Sequence, residues 1–118
     1  MTDRETFQPL VFFEYDHKPG HYCLMLTEDA MFAVADVFEE RGYECNGYAW
    51  AGVARSAVRA RAPELEDRFG CDPEAGMFVA YGEDAEALRA LGTLLREAFE
   101  DRAVLRGFVE AGDPDWFD

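Results

Sequence analysis

The chain has 118 residues and a formal charge of −14 at pH 7, from 25 acidic and 11 basic side chains. Such a protein would repel a phosphate backbone, so nucleic acid is not expected as a partner. Hydrophobic residues make up 49% of the chain and aromatic residues 14%, which excludes a disordered chain and predicts a single domain over residues 1–118.

The sequence shows no sign of membrane insertion or of disulfide bonding. No apolar run approaches the roughly 18 residues needed to span a bilayer. The segment from Met1 to Glu5 lacks a basic region followed by an apolar one, so we expect no secretory signal and a cytoplasmic protein. The cysteines, Cys23, Cys45 and Cys71, are odd in number and include no Cys-x-x-Cys pair, which argues against a disulfide framework or a zinc ribbon.

The first elements predict a β-hairpin and an amphipathic helix. Aromatic and β-branched residues indicate a strand over about 10–15, a Pro-Gly turn follows, and a second strand covers 22–26. Thr27 is the expected N-cap of the helix and Gly42 its expected C-terminal stop. The apolar stripe of this helix is expected to contain Met31, Val34, Ala35 and Phe38, spaced i, i+3, i+4 and i+7.

The remaining elements complete an α+β pattern. They are a turn at 45–47, a helix at about 49–61, a loop at 71–76, a buried strand at 77–81, and helices that begin near Asp84 and Asp101. The order β-β-α-α-β-α-α predicts an α+β fold in which the helices pack on a small, largely antiparallel sheet.

Charge is distributed unevenly along the chain. Residues 1–44 contain ten acids and three bases, and residues 63–118 contain fifteen acids and five bases. Residues 45–62 contain no acid and three arginines. The sequence therefore predicts a cationic helix within an acidic protein.

The candidates for catalytic chemistry are weak. His17 and His21 are four residues apart, but a Pro-Gly pair lies between them, so the helical geometry that suits two metal ligands is missing. With Cys23 they support only a weaker hypothesis of a metal-dependent enzyme. Cys45 adjoins the cationic helix, yet no histidine is near it in the sequence and the acidic surroundings raise a thiol pKa. We expect no enzyme activity and no cofactor.

Recognition is the better hypothesis. The segment 41–52 is rich in glycine and aromatic residues, and Tyr, Trp and Arg are the residue types most enriched at binding hot spots. Trp50 is expected to point into the core, whereas Tyr43, Asn46 and Tyr48 are expected to face a partner. Acidic residues that flank this segment complete the predicted interface: Glu39, Glu40, Glu44, Glu64, Glu66 and Asp67.

The same region carries a family resemblance. Gly-Tyr-Glu at 42–44, Asn-Gly-Tyr at 46–48 and Trp-Ala-Gly-Val-Ala at 50–54 resemble the immunity protein 51 family of bacterial polymorphic toxin systems. The block from Asp72 to Tyr81 and the Leu-rich helix after it are similar to the same family. The resemblance implies an α+β immunity protein that neutralises a toxin by direct binding, without catalysis or a cofactor.

Two functions follow as alternatives. The first is a cytoplasmic immunity protein that covers a cognate toxin, and an acidic surface suits a nuclease-type toxin because the substrate groove of a nuclease is basic. The second is a small regulatory or stress protein that acts through homo-oligomerisation by exposed aromatic residues, for which light scattering without toxin is the discriminating measurement. The sequence does not predict the oligomeric state.

Overall fold

The computed structural model describes residues 7–117; the N-terminal segment considered above for a secretory signal, and Asp118, lie outside this part. The strands are β1 Val11–Glu14, β2 Tyr22–Thr27, β3 Gly70–Cys71 and β4 Met77–Gly82. The helices are α1 Glu28–Met31, α2 Ala35–Glu39, α3 Gly47–Arg61, α4 Ala85–Glu100 and α5 Arg102–Ala111. Single 3-10 turns lie at Phe32–Val34, Pro63–Leu65 and Pro114–Phe117.

The strands form one antiparallel sheet in the order β1-β2-β4-β3. The predicted hairpin is confirmed, with Val11 opposite Met25 in the β1–β2 register. Alternate strand residues such as Phe12, Leu24 and Phe78 are fully buried, because helices cover one face of the sheet. The strand predicted at 77–81 is therefore not buried on both faces, since Tyr81 on the opposite face is 46% exposed. The α+β fold class predicted from the order of elements is therefore confirmed.

The first predicted helix is broken in the structure. The 3-10 turn Phe32–Val34 separates α1 from α2, and Val37 is buried where the sequence pattern predicted Ala35. A 3-10 turn has 3.0 residues per turn, so the buried positions Met31, Val34 and Val37 follow one another at intervals of three. Met31, Val34 and Phe38 are buried as the predicted stripe requires, so the prediction is wrong only for Ala35, which is half-buried.

Two further predicted elements are present with boundaries shifted by one or two residues. Helix α3 begins at Gly47, because Asn46 is its N-cap and accepts a hydrogen bond through Oδ1 from the Ala49 N–H at 2.8 Å. The segment predicted as a loop from residue 71 begins with Cys71 in β3, a strand of two residues that is too short to show any periodicity. Gly42 does end the preceding helical segment, with a φ of +80°.

The core is organised around α3. Trp50 is 0% exposed, as predicted, and its ring centroid lies 5.9 Å from that of Phe38 and 6.2 Å from that of Phe99. Ser56 is buried and its Oγ donates to the Phe108 carbonyl oxygen at 2.6 Å, which joins α3 to α5. None of the helices within residues 7–117 is long and apolar enough to cross a membrane.

The C-terminal turn packs against the connection between α2 and α3. The Phe117 ring is buried and stacks on the Tyr43 ring at a centroid distance of 5.1 Å and an interplanar angle of 18°. This stacking holds the Tyr43 ring in place. The turn Pro114–Phe117 therefore helps to fix the segment 41–52, which the sequence analysis selected for recognition.

Backbone packing requires glycine at the first position of α3. A Cβ atom built on Gly47 would lie 1.9 Å from the Glu74 carbonyl oxygen and 2.1 Å from that of Met77. The Gly47 N–H also donates to the Ala75 carbonyl oxygen at 3.2 Å. Any side chain here would separate the start of α3 from the loop before β4.

We predict that Gly47→Ala lowers the free energy of unfolding by about 3 kcal/mol or more, because two backbone carbonyls would have to move. The matched control is Gly107→Ala in α5, where an added Cβ meets nothing within 4 Å. That change should raise the free energy of unfolding by about 0.5–1 kcal/mol, since alanine is the better helix former. Urea unfolding followed by circular dichroism measures both, and an unchanged Gly47→Ala midpoint would contradict the packing described.

Candidate functional site

A concave surface of the described chain lies where α1, α2 and the start of α3 meet the loop before β4. This surface, the acidic groove, has a volume of about 740 Å³. Its lining residues are Glu28, Phe32, Ala35, Glu39, Gly42, Tyr43, Glu44, Cys45, Asn46 and Ala75. Four residues of the interface predicted from the sequence therefore come together here: Glu39, Tyr43, Glu44 and Asn46.

The groove is lined by three carboxylates and by no basic side chain. Glu28, Glu39 and Glu44 are exposed, and within residues 7–117 none of them has a salt bridge within 4.0 Å. Glu44 accepts only a long hydrogen bond, 3.4 Å, from Asn46 Nδ2. Three unpaired negative charges around one concavity give a surface that attracts cations.

Some of the acidic residues in and directly after α2 form ion pairs with α5, and one does not. Arg102 of α5 binds Asp36 and also donates to the Ala33 carbonyl oxygen at 2.9 Å. Arg106, one turn further along α5, binds Glu40. The Arg102 guanidinium lowers the pKa of Asp36 below its usual value. Glu39 has no such partner in the part of the chain that the structure describes, and it lines the groove.

An exposed aromatic side chain that the sequence analysis missed lies in the groove. Phe32 is 60% exposed, the most exposed of the large hydrophobic residues in the described chain. It occupies the 3-10 turn between α1 and α2, outside the apolar stripe predicted for that helix. That off-stripe position was the available signal, because an aromatic residue on the polar face of an amphipathic helix has no place in the core.

The other predicted interface residues lie elsewhere. Tyr48 is 49% exposed, as predicted, but it lies on the first turn of α3 and does not line the acidic groove. Glu40 is paired with Arg106. Glu64 is exposed beside α3, and Glu66 and Asp67 line a second groove.

Two of the residues in the acidic groove have a structural role as well. Asn46 caps α3 through its Oδ1, and its Nδ2 donates a long hydrogen bond to Glu44. Tyr43 is half-buried by its stacking on Phe117. The prediction that both side chains point outward is therefore only partly correct, because each also fixes the loop from which it projects.

Cys45 is the thiol of the groove, and its surroundings do not activate it. Its Sγ donates to the Met31 carbonyl oxygen at 3.4 Å. Burial raises the pKa of the Cys45 thiol to about 11, an interaction with the Trp50 indole offsets part of this rise, and the Glu39 carboxylate adds to it. A thiol in such a setting is a poor nucleophile at neutral pH.

The histidines do not assemble a metal centre with Cys23. His17 is exposed and tilts against the Tyr15 ring, whereas His21 Nε2 lies 3.2 Å from a Glu83 carboxylate oxygen. Cys23 is buried in β2. Within residues 7–117, no three His, Cys, Asp or Glu side chains are grouped so that they could hold a metal ion.

We predict that Cys45 is alkylated by iodoacetamide at pH 8 about tenfold more slowly than a cysteine in an unstructured peptide. A pKa near 11 instead of 9.0 lowers the thiolate fraction about a hundredfold, and the higher nucleophilicity of a more basic thiolate restores about tenfold of this. Peptide mapping by mass spectrometry gives the rate. Reaction at the rate of the free peptide would identify an activated thiol and contradict the inert role assigned here.

Comparison with known families agrees with the resemblance noted from the residues. The model of the family described as Immunity protein 51 matches residues 10–114. No curated protein and no solved structure matches the chain. The matched segment includes the whole acidic groove and all four strands. Because the match covers nearly the whole sequence, the chain belongs to the immunity protein 51 family.

Proposed function

We propose that this protein neutralises a cognate toxin of a bacterial polymorphic toxin system by binding it directly through the acidic groove. Membership of an immunity protein family supports a toxin as the partner. The observation that carries the choice of surface is the convergence of Glu28, Glu39 and Glu44, all unpaired, with the exposed Phe32. The proposed location is the cytoplasm.

The negative charge of the groove indicates that the complementary surface of the partner is basic. Three carboxylates without a cation complement a cluster of Lys or Arg side chains and speed their encounter with the groove. A nuclease-type toxin has such a cluster where it binds phosphates. We propose that the groove's carboxylates occupy those positions and so exclude the nucleic-acid substrate.

Phe32 supplies the apolar part of the proposed interface. Large aromatic residues that are surrounded by polar groups are typical of binding hot spots, since their burial in a partner's pocket is favourable and the polar rim excludes water. In the free chain the Phe32 ring is exposed to water, which is unfavourable, and it does not contribute to the core. A binding role accounts for that exposure.

We predict that Glu28→Gln/Glu39→Gln/Glu44→Gln lowers the association rate constant with the toxin by roughly tenfold to a hundredfold and reduces its dependence on salt. The matched control is Asp16→Asn/Glu86→Gln/Glu110→Gln, which removes the same charge at exposed sites outside the groove. Stopped-flow or surface plasmon resonance measures the rates. Equal losses for the two triple variants would show that net charge, not the groove, steers the toxin.

We predict that Phe32→Ala raises the dissociation constant for the toxin about thirtyfold, the equivalent of about 2 kcal/mol, with almost no change in thermal midpoint. Tyr48→Ala, a contact predicted from the sequence, should also weaken binding, whereas Tyr81→Ala, 46% exposed on β4, should not. Calorimetric titration gives the constants. A Phe32→Ala variant that binds like the parent would contradict the proposed hot spot.

A further inference from the structure

A second surface has the opposite character to the acidic groove. Arg55 and Arg59 lie one turn apart on α3, and their guanidinium carbons are 5.8 Å and 4.8 Å from the centroid of the Trp116 ring. A guanidinium that lies over an aromatic face uses its own face for the contact, so its in-plane N–H groups remain available to acceptors. These three side chains are referred to below as the arginine ledge.

The ledge arginines form no ion pair with the acidic residues that the structure describes. Within residues 7–117, Arg55 and Arg59 have no hydrogen-bond acceptor and no carboxylate within 4.0 Å. Five other arginines each have an acidic partner: Arg61, Arg68, Arg96, Arg102 and Arg106. In a chain with 25 acids and 11 bases, two adjacent unpaired cations mark a site where an external anion is favoured.

The ledge forms one wall of the second groove, which has a volume of about 530 Å³. The remaining lining residues are Val58, Glu66, Asp67, Phe69, Gly70 and Cys71. Val58 and Phe69 add apolar side chains to the lining, whereas Glu66 and Asp67 add negative charge to the same groove. The volume lies within the range that is typical of ligand pockets in proteins.

These features select among anions. A long polyanion such as nucleic acid would meet Glu66, Asp67 and the acidic remainder of the chain, all of which repel it. A short polypeptide segment carries fewer charges and is repelled less, and its Asp or Glu side chains can bind the guanidinium edges while an apolar neighbour packs on Trp116 and Phe69. Glu66 and Asp67 can accept hydrogen bonds from the backbone N–H groups of the same segment.

We propose that the arginine ledge is a docking site for an acidic polypeptide segment of a partner protein. The site is separate from the acidic groove and does not depend on the function proposed for it. The acidic groove binds a basic surface and the ledge binds an acidic segment, so the chain can hold both at once. Charge complementarity and the unpaired guanidinium edges carry this assignment.

The test uses the full chain and an acetylated hexapeptide, Glu-Glu-Leu-Phe-Glu-Glu, at low ionic strength. In ¹H–¹⁵N spectra the Trp116 indole and the Arg55 and Arg59 Nε–H signals should shift with saturation, while the signal of the buried Trp50 indole stays in place. A Gln-Gln-Leu-Phe-Gln-Gln peptide should cause no such shifts. Shifts of equal size with the glutamine peptide, or none with the glutamate peptide, would overturn the proposal.

Variants separate the site from general charge effects. Arg55→Gln/Arg59→Gln should weaken peptide binding at least about tenfold, and Arg55→Lys/Arg59→Lys should retain part of it because the charges remain. The matched control Arg41→Gln/Arg89→Gln has the same net charge and should bind like the parent; Arg89 lies over Phe12 in a similar contact, 5.0 Å from the ring centroid. Equal weakening in the control, or tighter binding of a single-stranded oligonucleotide than of the peptide, would also overturn it.

Discussion

The acidic groove depends on one backbone contact, the seating of Gly47 against the carbonyl oxygens of Glu74 and Met77. Without a Cβ at this position, α3 can begin directly on the loop that precedes β4, and Asn46 can cap the helix at that point. The same placement carries Trp50 into the core beside Phe38. The loop before α3 is thereby held against α2, and packed residues form the concavity between them.

The charges around this concavity are arranged by the opposite helix. Arg102 and Arg106 pair with Asp36 and Glu40, which lie on the side of α2 that faces α5. These exposed pairs contribute little stability by themselves, but they remove two carboxylates from the available negative surface. Within the described residues Glu39 remains unpaired, and together with Glu28 and Glu44 it gives the groove its negative charge. A protein of charge −14 can therefore have a localised acidic site and also a separate surface, the arginine ledge, whose guanidinium groups are not paired with its described acids.

The fold class and the inward position of Trp50 could be predicted because they depend on periodicity and residue type. The break at Phe32–Val34 could not, since a 3-10 turn buries Met31, Val34 and Val37 by a spacing that a helical pattern also allows. The exposure of Phe32, by contrast, was predictable, because the residue lies outside the apolar stripe of the predicted helix. The sequence analysis grouped Glu66 and Asp67 with Glu39 because all flank the aromatic segment, whereas the tertiary structure places them beside the arginine ledge. Proximity along the chain gave no information on which acids find a basic partner.

The central claim is that the toxin covers the acidic groove, and hydrogen–deuterium exchange of the free chain and of its complex with the toxin tests it most directly. The account predicts slower exchange on binding in peptides that cover residues 28–46 and the loop at Ala75, with little change in β1 and at the arginine ledge. Unchanged exchange over residues 28–46, together with protection on the strands of the sheet, would contradict it.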